Sequence, residues 1–199
     1  MDFLLIRTIF FSETLFAFLN SIKVLKIPIQ SSWFLFFLLA VFSWLLWEKA
    51  YKKNLYLSGM TGIFFGFQLS ADLLGNAFNL YERFTWYDKF THFTGGATIG
   101  LAILLILDFL YKKNNWNFGS KTFIIFTLSL SLSIGVMYEF WEYFIYSVLN
   151  YKQVITGLTD TSQDLLMDFL GSLLSILLFS RSLKKSYSPS PNLTDSKTK

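Results

Sequence analysis

Cysteine is absent from this 199-residue sequence, and histidine occurs only once. The lack of cysteine excludes disulfides, thiolate metal sites and cysteine nucleophiles. A single histidine excludes bis-histidine haem ligation and the two-histidine centre of phosphatidate-type lipid phosphatases. Charged residues are also scarce: they make up 15% of the chain, whereas a soluble domain carries about 25%. These shortages argue against an ordinary soluble domain.

Hydrophobic residues are abundant instead, at 53% of the chain, and they occur in long blocks separated by Lys and Arg. A helix that crosses a bilayer needs ~20 mostly apolar residues. We therefore predict an all-α fold, a polytopic transmembrane helical bundle of about six spans. The spans are placed at residues 3–22, 31–48, 55–79, 87–111, 122–148 and 162–183.

The predicted bundle forms a single transmembrane domain over residues 1–183. Residues 184–199 are rich in Ser, Pro, Thr and Lys and are expected to form a disordered cytoplasmic tail. The N-terminal segment has neither a basic leader nor a small-residue cleavage site, which favours a retained first helix over a cleaved signal peptide. Arg7, Glu13 and Asn20 interrupt that helix, so a position along the membrane interface stays open for it.

The distribution of Lys and Arg predicts the orientation in the membrane. With six spans, 12 of the 17 basic residues lie on one side and 5 on the other. Cytoplasmic loops carry the excess of Lys and Arg, so we expect a plasma-membrane protein with both termini in the cytoplasm. The loops at residues 80–86 and 149–161 are then expected outside. Because the basic residues mark span ends rather than one patch, they do not indicate a nucleic-acid partner.

Polar residues recur inside the predicted spans at intervals of three or four, which puts the members of each group on one helix face. The groups are Gln68 with Asp72 and Asn76, Asp88 with His92, Glu139 with Glu142, and Asp160 with Asp164 and Asp168. In the predicted topology, every group reaches the extracytoplasmic half of the bilayer. At ~1.5 Å rise per residue, one member of each group falls within about 10 Å of the outer boundary. The sequence therefore predicts a single polar site near that face.

Carboxylates inside a span are costly, at roughly 2.5–3.5 kcal/mol for one at the span centre. So many acids call for a cation or a hydrogen-bond network. We expect His92 to act as general acid/base, oriented by Asp88. A divalent cation, Mg²⁺ or Mn²⁺, is expected on four other carboxylates, because such hard ions prefer oxygen ligands. These four are Glu139, Glu142, Asp164 and Asp168, while Asp72 and Asp160 are assigned to substrate binding.

Structural roles stay open for several of these residues. Asp88 and Asp160 each lie beside a predicted helix start, where a carboxylate can cap the helix or reach the lipid headgroups. His92 can simply hydrogen-bond a neighbouring helix. Gln68 and Asn76 are interpreted as polar contacts between helices rather than as site residues.

Small residues four positions apart allow helices to approach closely in a membrane. Three such pairs are expected to tighten the bundle around the polar groups: Gly62 with Gly66, Gly96 with Gly100, and Gly171 with Ser175. Aromatic residues near span ends are expected at the membrane–water interface, where Trp and Tyr are enriched. They are Trp86, Tyr87, Trp141 and Tyr143.

Three motifs in order carry a resemblance to a known family: Y-D-K-F-T-H-F-T-G-G, then Y-E-F-W-E-Y, then D-T-S-Q-D-L-L-M-D-F-L-G. Over about residues 55–183, the chain resembles the YjdF-like membrane proteins of bacteria and archaea and, more distantly, VanZ-like proteins. The matching positions are Asp88, His92, Glu139, Glu142, Asp164, Asp168 and Gly171. The resemblance implies a helical membrane fold with a polar site. VanZ-like proteins are linked to glycopeptide or lipopeptide resistance, which implies cell-envelope lipids or precursors, although they often have Asn where this chain has Asp168.

Three functions are compatible with such a site. Our principal hypothesis is an enzyme-like site, open to the outer leaflet, that acts on a lipid headgroup or a lipid-linked envelope component. A rival is a proton- or cation-coupled transporter that uses the same carboxylates. A third is a non-catalytic lipid-binding membrane protein. Transport needs a polar track to the cytoplasmic face, for which the candidates are Asp108 and the Ser and Thr residues at 127–133.

Overall fold

The structure, a computed structural model, describes residues 3–23, 33–50, 55–114, 119–149 and 157–187. The secondary structure of this described part is entirely helical, which confirms the all-α prediction. In chain order the helices are α1 (Phe3–Ser21), α2 (Trp33–Ala50), α3 (Leu55–Ala77), α4 (Leu80–Arg83), α5 (Thr85–Asn114), α6 (Ser120–Leu149) and α7 (Leu158–Tyr187).

Each of the six predicted spans coincides with one of the long helices. The short α4, of 4 residues, was not predicted. Asn79, in a left-handed conformation with φ 54°, lies just before α4 and separates it from α3. At the other end of the chain, α7 continues past residue 183, the end of the last predicted span, to Tyr187. Residues 188–199 of the predicted tail lie outside the described residues.

Four of the described helices are long and apolar enough to cross a membrane: α1, α5, α6 as far as Phe144, and α7 as far as Phe179. This result supports a membrane protein. α2 and α3 coincide with the second and third predicted spans but do not belong to this set of four. That these two helices also cross the bilayer therefore stays a prediction.

Two of the polar residues that interrupt α1 have partners on neighbouring helices. Arg7 Nε donates a hydrogen bond to Glu48 Oε1 on α2 at 2.6 Å. The hydroxyl of Ser70 on α3 donates to Glu13 Oε1 at 2.5 Å. These contacts attach α1 to the rest of the bundle.

α5 is the central helix, because 61% of its candidate span is buried against 22% for α6. Its C-terminal half carries an apolar cluster, in which Leu101 and Leu104 pack with Phe123 of α6 and Phe179 of α7. All four side chains are at most 2% exposed. Since lipid tails are as apolar as these side chains, close packing rather than removal from water stabilises this cluster.

The closest helix contact joins α5 to α7 through glycine. A Cβ on Gly96 would lie 2.7 Å from Asp168 Cα, and one on Gly171 would lie 2.7 Å from Ala97 N. Two serines of α7 bond across this seam: Ser172 Oγ donates to Gly96 O at 3.1 Å and Ser175 Oγ to Ala97 O at 2.5 Å. The predicted close approach at these small residues is confirmed. It brings the first turns of α5 and α7 side by side.

Glycines also tighten the contact of α3 with α1 and α2. A Cβ on Gly62 would lie 2.8 Å from Trp47 Cε2, and one on Gly66 would lie 2.7 Å from Ile9 Cγ2. Trp47 is buried and its indole N–H donates to Ser58 O at 2.7 Å. The predicted role of the Gly62/Gly66 pair is therefore confirmed as well.

One of the four expected interfacial aromatic residues is buried. Tyr87 is 7% exposed, and its hydroxyl donates to Ala71 O of α3 at 2.7 Å. The expectation of an interfacial side chain is wrong for Tyr87, because this hydrogen bond turns its polar end into the bundle. Trp86, Trp141 and Tyr143 are exposed, as an interfacial position requires.

Candidate functional site

His92 lies at the centre of a buried polar cluster formed by α5, α6 and α7. Its Nδ1 is 3.4 Å from Asp168 Oδ1. Its Nε2 faces three other carboxylate oxygens: Asp88 Oδ1 at 3.9 Å, Glu139 Oε1 at 3.9 Å and Asp164 Oδ1 at 4.0 Å. The His92 side chain is 6% exposed. The structure thus brings together residues from three of the four predicted polar groups.

The distances around Nε2 point to a metal site rather than to hydrogen bonds. Separations of 3.9–4.0 Å are too long for a hydrogen bond. Ligand atoms about 2.0–2.2 Å from one ion lie roughly 4.0–4.4 Å apart when they are opposite and closer when they are adjacent, so side chains at these distances could close around an ion with small movements. Two groups offer three possible ligand atoms within 4.8 Å of one another: Asp88 with His92 and Asp164, and His92 with Glu139 and Glu142.

Lys89 is a member of the cluster that the sequence interpretation missed. Its ammonium is 3.2 Å from Asp88 Oδ2 and 2.8 Å from Asp164 Oδ1, and it forms an ion pair with Asp160. In the sequence it is only one of the five basic residues assigned to the extracytoplasmic side, within the first residues of the span at 87–111. Its position next to Asp88, in the first turns of a helix, was the available signal.

Two buried carboxylate oxygens of the cluster have no hydrogen-bond partner among the described residues, Glu139 Oε1 and Asp164 Oδ1. Their side chains are 10% and 2% exposed. Asp164 Oδ1 does have an ion-pair partner, the Lys89 ammonium at 2.8 Å. Buried polar atoms normally have partners, and an ion can supply the missing one.

α6 contributes Glu142 and an aromatic wall. The ring of Tyr138 meets the imidazole of His92 edge to face, with ring centroids 5.7 Å apart. Tyr138 also interacts electrostatically with Glu142, one turn further along α6. Tyr138 is 51% exposed, so it connects the cluster to the outer surface of the helix.

Asp72 on α3 lies beside the cluster and is held by its own hydrogen bonds. The Tyr81 hydroxyl donates to Asp72 Oδ1 at 2.8 Å, and Gln68 Nε2 donates to Oδ2 at 3.3 Å. Asp72 interacts with His92 and Asp88 through electrostatics at longer range. The structure therefore puts this predicted substrate-binding residue near the site without an ion pair to the cluster among the described contacts.

Gln68 and Asn76, both expected to join helices, behave differently. Thr94 Oγ1 on α5 donates to Gln68 Oε1 at 2.5 Å, which confirms the prediction for Gln68. Asn76 Nδ2 donates to Asp72 O of its own helix at 2.9 Å. The interhelical prediction is wrong for Asn76, because the carbonyl one turn earlier lies within reach of its amide.

Asp88 and Asp160 lie in the first turns of α5 and α7, so a structural role at the helix start stays open for both. α5 begins at Thr85 and α7 at Leu158, so both carboxylates lie inside the first turn rather than before it. A negative charge there also interacts favourably with the helix dipole. Both residues bind Lys89 as well, so they belong to the cluster.

Gly135 on α6 makes room for Asp168. A Cβ at this position would lie 2.5 Å from Asp168 Oδ2. Any larger residue would push this carboxylate away from His92. No local sequence pattern identifies Gly135 as important, because the residue that it contacts, Asp168, lies on another helix.

The cluster contains more acidic than basic side chains. Its only basic groups among the described residues are Lys89 and, when protonated, His92. The acidic members are Asp88, Glu139, Glu142, Asp160, Asp164 and Asp168. Uncompensated carboxylates are costly in the low dielectric of a membrane protein. The arrangement therefore favours binding of a cation.

Exposure within the cluster is graded. The side chains of Asp88 and Lys89 are 22% and 17% exposed, whereas Asp164 is 2% exposed. The exposed members lie in the first turns of α5, so the cluster opens at the end of the bundle where α5 and α7 begin.

The polar residues do not continue as a track through the bundle. Below Asp168, Ser172 hydrogen-bonds Ser131 and donates to the Asp168 carbonyl at 2.9 Å. Thr127 donates to a carbonyl of its own helix. The apolar cluster around Leu104 follows, and Asp108 lies beyond it, paired with Lys112 at 2.8 Å. Among the described residues, packed apolar side chains thus separate the cluster from Asp108, one of the candidate track residues.

Comparison with known proteins identifies the family. Residues 5–185 match the family described as "Predicted membrane protein (DUF2238)". The chain belongs to this family. It is an integral membrane protein, as its composition predicted. The likeness to YjdF-like and VanZ-like proteins stays a hypothesis based on the motifs.

One relative among curated proteins comes from Thermotoga maritima and carries the name "Uncharacterized protein". The two are 29% identical over 99 residues, which is 50% of each chain. The chain thus spans about half the length of this relative in the match. No solved structure matches.

Proposed function

We propose that the protein holds a divalent cation, Mn²⁺ or Mg²⁺, next to His92 and uses it to act on a lipid headgroup or a lipid-linked envelope component. In this proposal the chain crosses the plasma membrane several times, with both termini in the cytoplasm. The cluster then faces the extracytoplasmic side. The family carries no reaction that could be transferred, so the proposal rests on the site itself.

The observation that carries the proposal is the environment of the His92 ring. Nδ1 is 3.4 Å from Asp168 Oδ1, while Nε2 faces three carboxylate oxygens at 3.9–4.0 Å. Metal-binding histidines commonly donate their second N–H to a carboxylate, which orients the ring. Asp168 supports that role, and the oxygens around Nε2 supply further ligands. We therefore assign His92 as a ligand, in place of the acid/base role expected from the sequence.

The chemistry of such a site is Lewis-acid catalysis. A bound cation polarises a phosphoryl or carbonyl oxygen and can generate a nucleophilic hydroxide from water. Asp88 is the most suitable proton acceptor, because its Oδ1 lies 3.9 Å from His92 Nε2 and its side chain is 22% exposed. An anionic headgroup would approach through the cation, since carboxylates occupy the other positions around His92.

The surface next to the cluster suits a lipid. Glu139 and Glu142 share α6 with large exposed side chains, including Met137 (65%), Phe140 (63%) and Tyr143 (68%). A lipid whose tails lie against these residues would bring its headgroup beside the carboxylates. The transporter alternative is weaker, because apolar side chains interrupt the polar track below the cluster.

The proposal is tested with purified protein in vesicles of zwitterionic and anionic phospholipids. With Mn²⁺ or Mg²⁺ present, mass spectrometry of the extracted lipids should detect loss of headgroups for the native protein. Glu139→Gln should lose this activity, whereas Glu82→Gln, on α4 away from the cluster, should keep it. Unchanged lipids together with cation-dependent lipid binding would instead favour the non-catalytic function. Indifference to both ions and all lipids would contradict the proposal.

The orientation is tested separately, and the absence of cysteine makes the experiment clean. Glu82→Cys, on the exposed α4, should react with a membrane-impermeant thiol reagent in intact cells. Reaction only after lysis would put the cluster on the cytoplasmic side.

A further inference from the structure

We infer that Lys89 is a built-in cation of this cluster, and that it leaves only one of the two candidate metal positions for an ion. Lys89 occupies the carboxylates of Asp88, Asp160 and Asp164. The divalent cation then binds between α5 and α6, on His92, Glu139 and Glu142. This inference rests on the cation of the proposed function and specifies where that cation lies.

The Lys89 ammonium lies among acidic side chains of two helices. It is within ion-pair distance of three carboxylates: Asp88 on its own helix, and Asp160 and Asp164 on α7. Asp164 Oδ1, at 2.8 Å from the ammonium, is also the oxygen that faces His92 Nε2 at 4.0 Å. The same oxygen cannot serve the ammonium and a metal ion without strong repulsion between the two cations. Lys89 therefore competes with any ion in the group of Asp88, His92 and Asp164.

The carboxylates of α6 next to His92 differ from those of α7, because no described lysine or arginine pairs with Glu139. Glu139 Oε1 is buried and has no hydrogen-bond partner among the described residues, and it lies 3.9 Å from His92 Nε2. No Lys or Arg of the described part of the chain forms an ion pair with Glu139. This oxygen and Glu142 complete the second group of possible ligands. An ion there meets no competing ammonium.

Lys89 joins two helices and neutralises part of the charge of the α7 carboxylates. By pairing with Asp160 and Asp164, it attaches the first turns of α7 to α5. It also neutralises part of the negative charge next to Asp164, a side chain that is 2% exposed. Lys89 thus does for the α7 carboxylates what the metal ion does for those of α6. Removing its charge should free Asp88, Asp160 and Asp164 for a second divalent cation, which these carboxylates would hold without His92, because the imidazole has one acceptor nitrogen and the first ion occupies it.

The test is the Mn²⁺ stoichiometry of purified full-length protein, measured by equilibrium dialysis and elemental analysis. The native protein and Asp160→Asn should each bind one Mn²⁺. Glu139→Gln and Glu142→Gln should each bind at least tenfold more weakly. Lys89→Gln should bind two ions, whereas Lys89→Arg, which keeps the charge, should bind one. Elution as a single species in size-exclusion chromatography verifies that each variant is folded.

Each outcome decides between the inference and the function on which it rests. If the native protein binds one ion but Glu139→Gln and Glu142→Gln retain its affinity, the inference is wrong and the cation of the proposed function stands. A folded Lys89→Gln variant that still binds one ion would also overturn the inference. A native protein that binds no Mn²⁺ would overturn both proposals. If Lys89→Gln does not fold, the glutamate variants decide alone.

Discussion

The two ends of the bundle formed by α5, α6 and α7 are built from the same three helices and differ sharply in chemistry. At the end where α5 and α7 begin, ionisable side chains surround His92. At the opposite end, Leu101, Leu104 and Phe179 pack into an apolar cluster. The glycine seam of Gly96 and Gly171 lies between the two. Both ends therefore depend on the close backbone contact between α5 and α7, whereas the ionisable side chains are concentrated at one end.

This difference indicates which interactions serve stability and which serve function. Packing of apolar side chains at the end with the Leu104 cluster stabilises the bundle without burying any charge. The polar end concentrates carboxylates that burial makes costly, and one buried oxygen, Glu139 Oε1, has no hydrogen-bond partner among the described residues. Stability that is given up in this way is typical of functional sites. We therefore expect substitutions at the apolar end to lower the free energy of unfolding, and substitutions at the polar end to weaken cation binding.

The largest effect is expected at the seam that both ends share. Gly96→Leu should destabilise the fold by about 4 kcal/mol or more, because the side chain meets the Asp168 backbone and forces the Ser172 and Ser175 hydrogen bonds apart. Gly119→Leu is the matched control, since a Cβ there meets nothing within 4 Å. Unfolding in detergent measures both. Equal stabilities would show that the seam can open freely.

The second effect separates the apolar end from the site. Leu104→Ala should cost about 3 kcal/mol, because Leu104 is fully buried and its removal leaves a cavity. Ile106→Ala, at an exposed position two residues away, should stay within about 0.5 kcal/mol of the native protein. Neither should alter the stabilisation by Mn²⁺. A lost Mn²⁺ response in a folded Leu104→Ala variant would mean that the two ends are not independent.

The third effect belongs to the polar end. Asp168→Asn should weaken Mn²⁺ binding about 10–100-fold, because it removes the carboxylate that orients the His92 ring. Its loss of stability without the ion should be small. Isothermal titration measures the affinity. An unchanged affinity would show that Asp168 does not orient a ligand.

The smallest effect is expected for the ion pair beyond the apolar cluster. Lys112 Nζ lies 2.8 Å from Asp108 Oδ2, but its side chain is 52% exposed. Asp108 is buried, at 6% exposure, but it keeps other interactions when Lys112 is removed, so we expect a loss of about 1 kcal/mol. Lys112→Ala should therefore change the unfolding midpoint only slightly and leave Mn²⁺ binding intact. A large change in ion binding would revive a connection between the two ends.

Much of the fold follows from the sequence because the signals are local. Apolar blocks located the six long helices, and small residues such as Gly96 and Gly171 located the close contacts. The spacing of Asp88 and His92 put both on one helix face. The distribution of Lys and Arg in the loops predicts that the four polar groups lie at one depth in the membrane. Residues of three of these groups do contact one another around His92.

The missed features depend on which helix faces which. Lys89 contributes only to the orientation count in the sequence, because nothing local reveals that Asp160 and Asp164 lie opposite it. Gly135 matters only because Asp168 approaches from α7. The nearest carboxylate to His92 is likewise Asp168 rather than the predicted Asp88, which is a matter of helix rotation and side-chain rotamer. Spacing along one helix contains none of this information.

The central claim, that the cluster binds a divalent cation, is tested most directly by the unfolding of the native protein with and without Mn²⁺. At a hundredfold excess over Kd, the ion should stabilise the native protein by about 2.7 kcal/mol. Glu139→Gln, which removes the charge from the side chain with the unpartnered oxygen, should lose most of that gain. A native protein whose unfolding is indifferent to Mn²⁺, Mg²⁺ and Ca²⁺ would contradict the account.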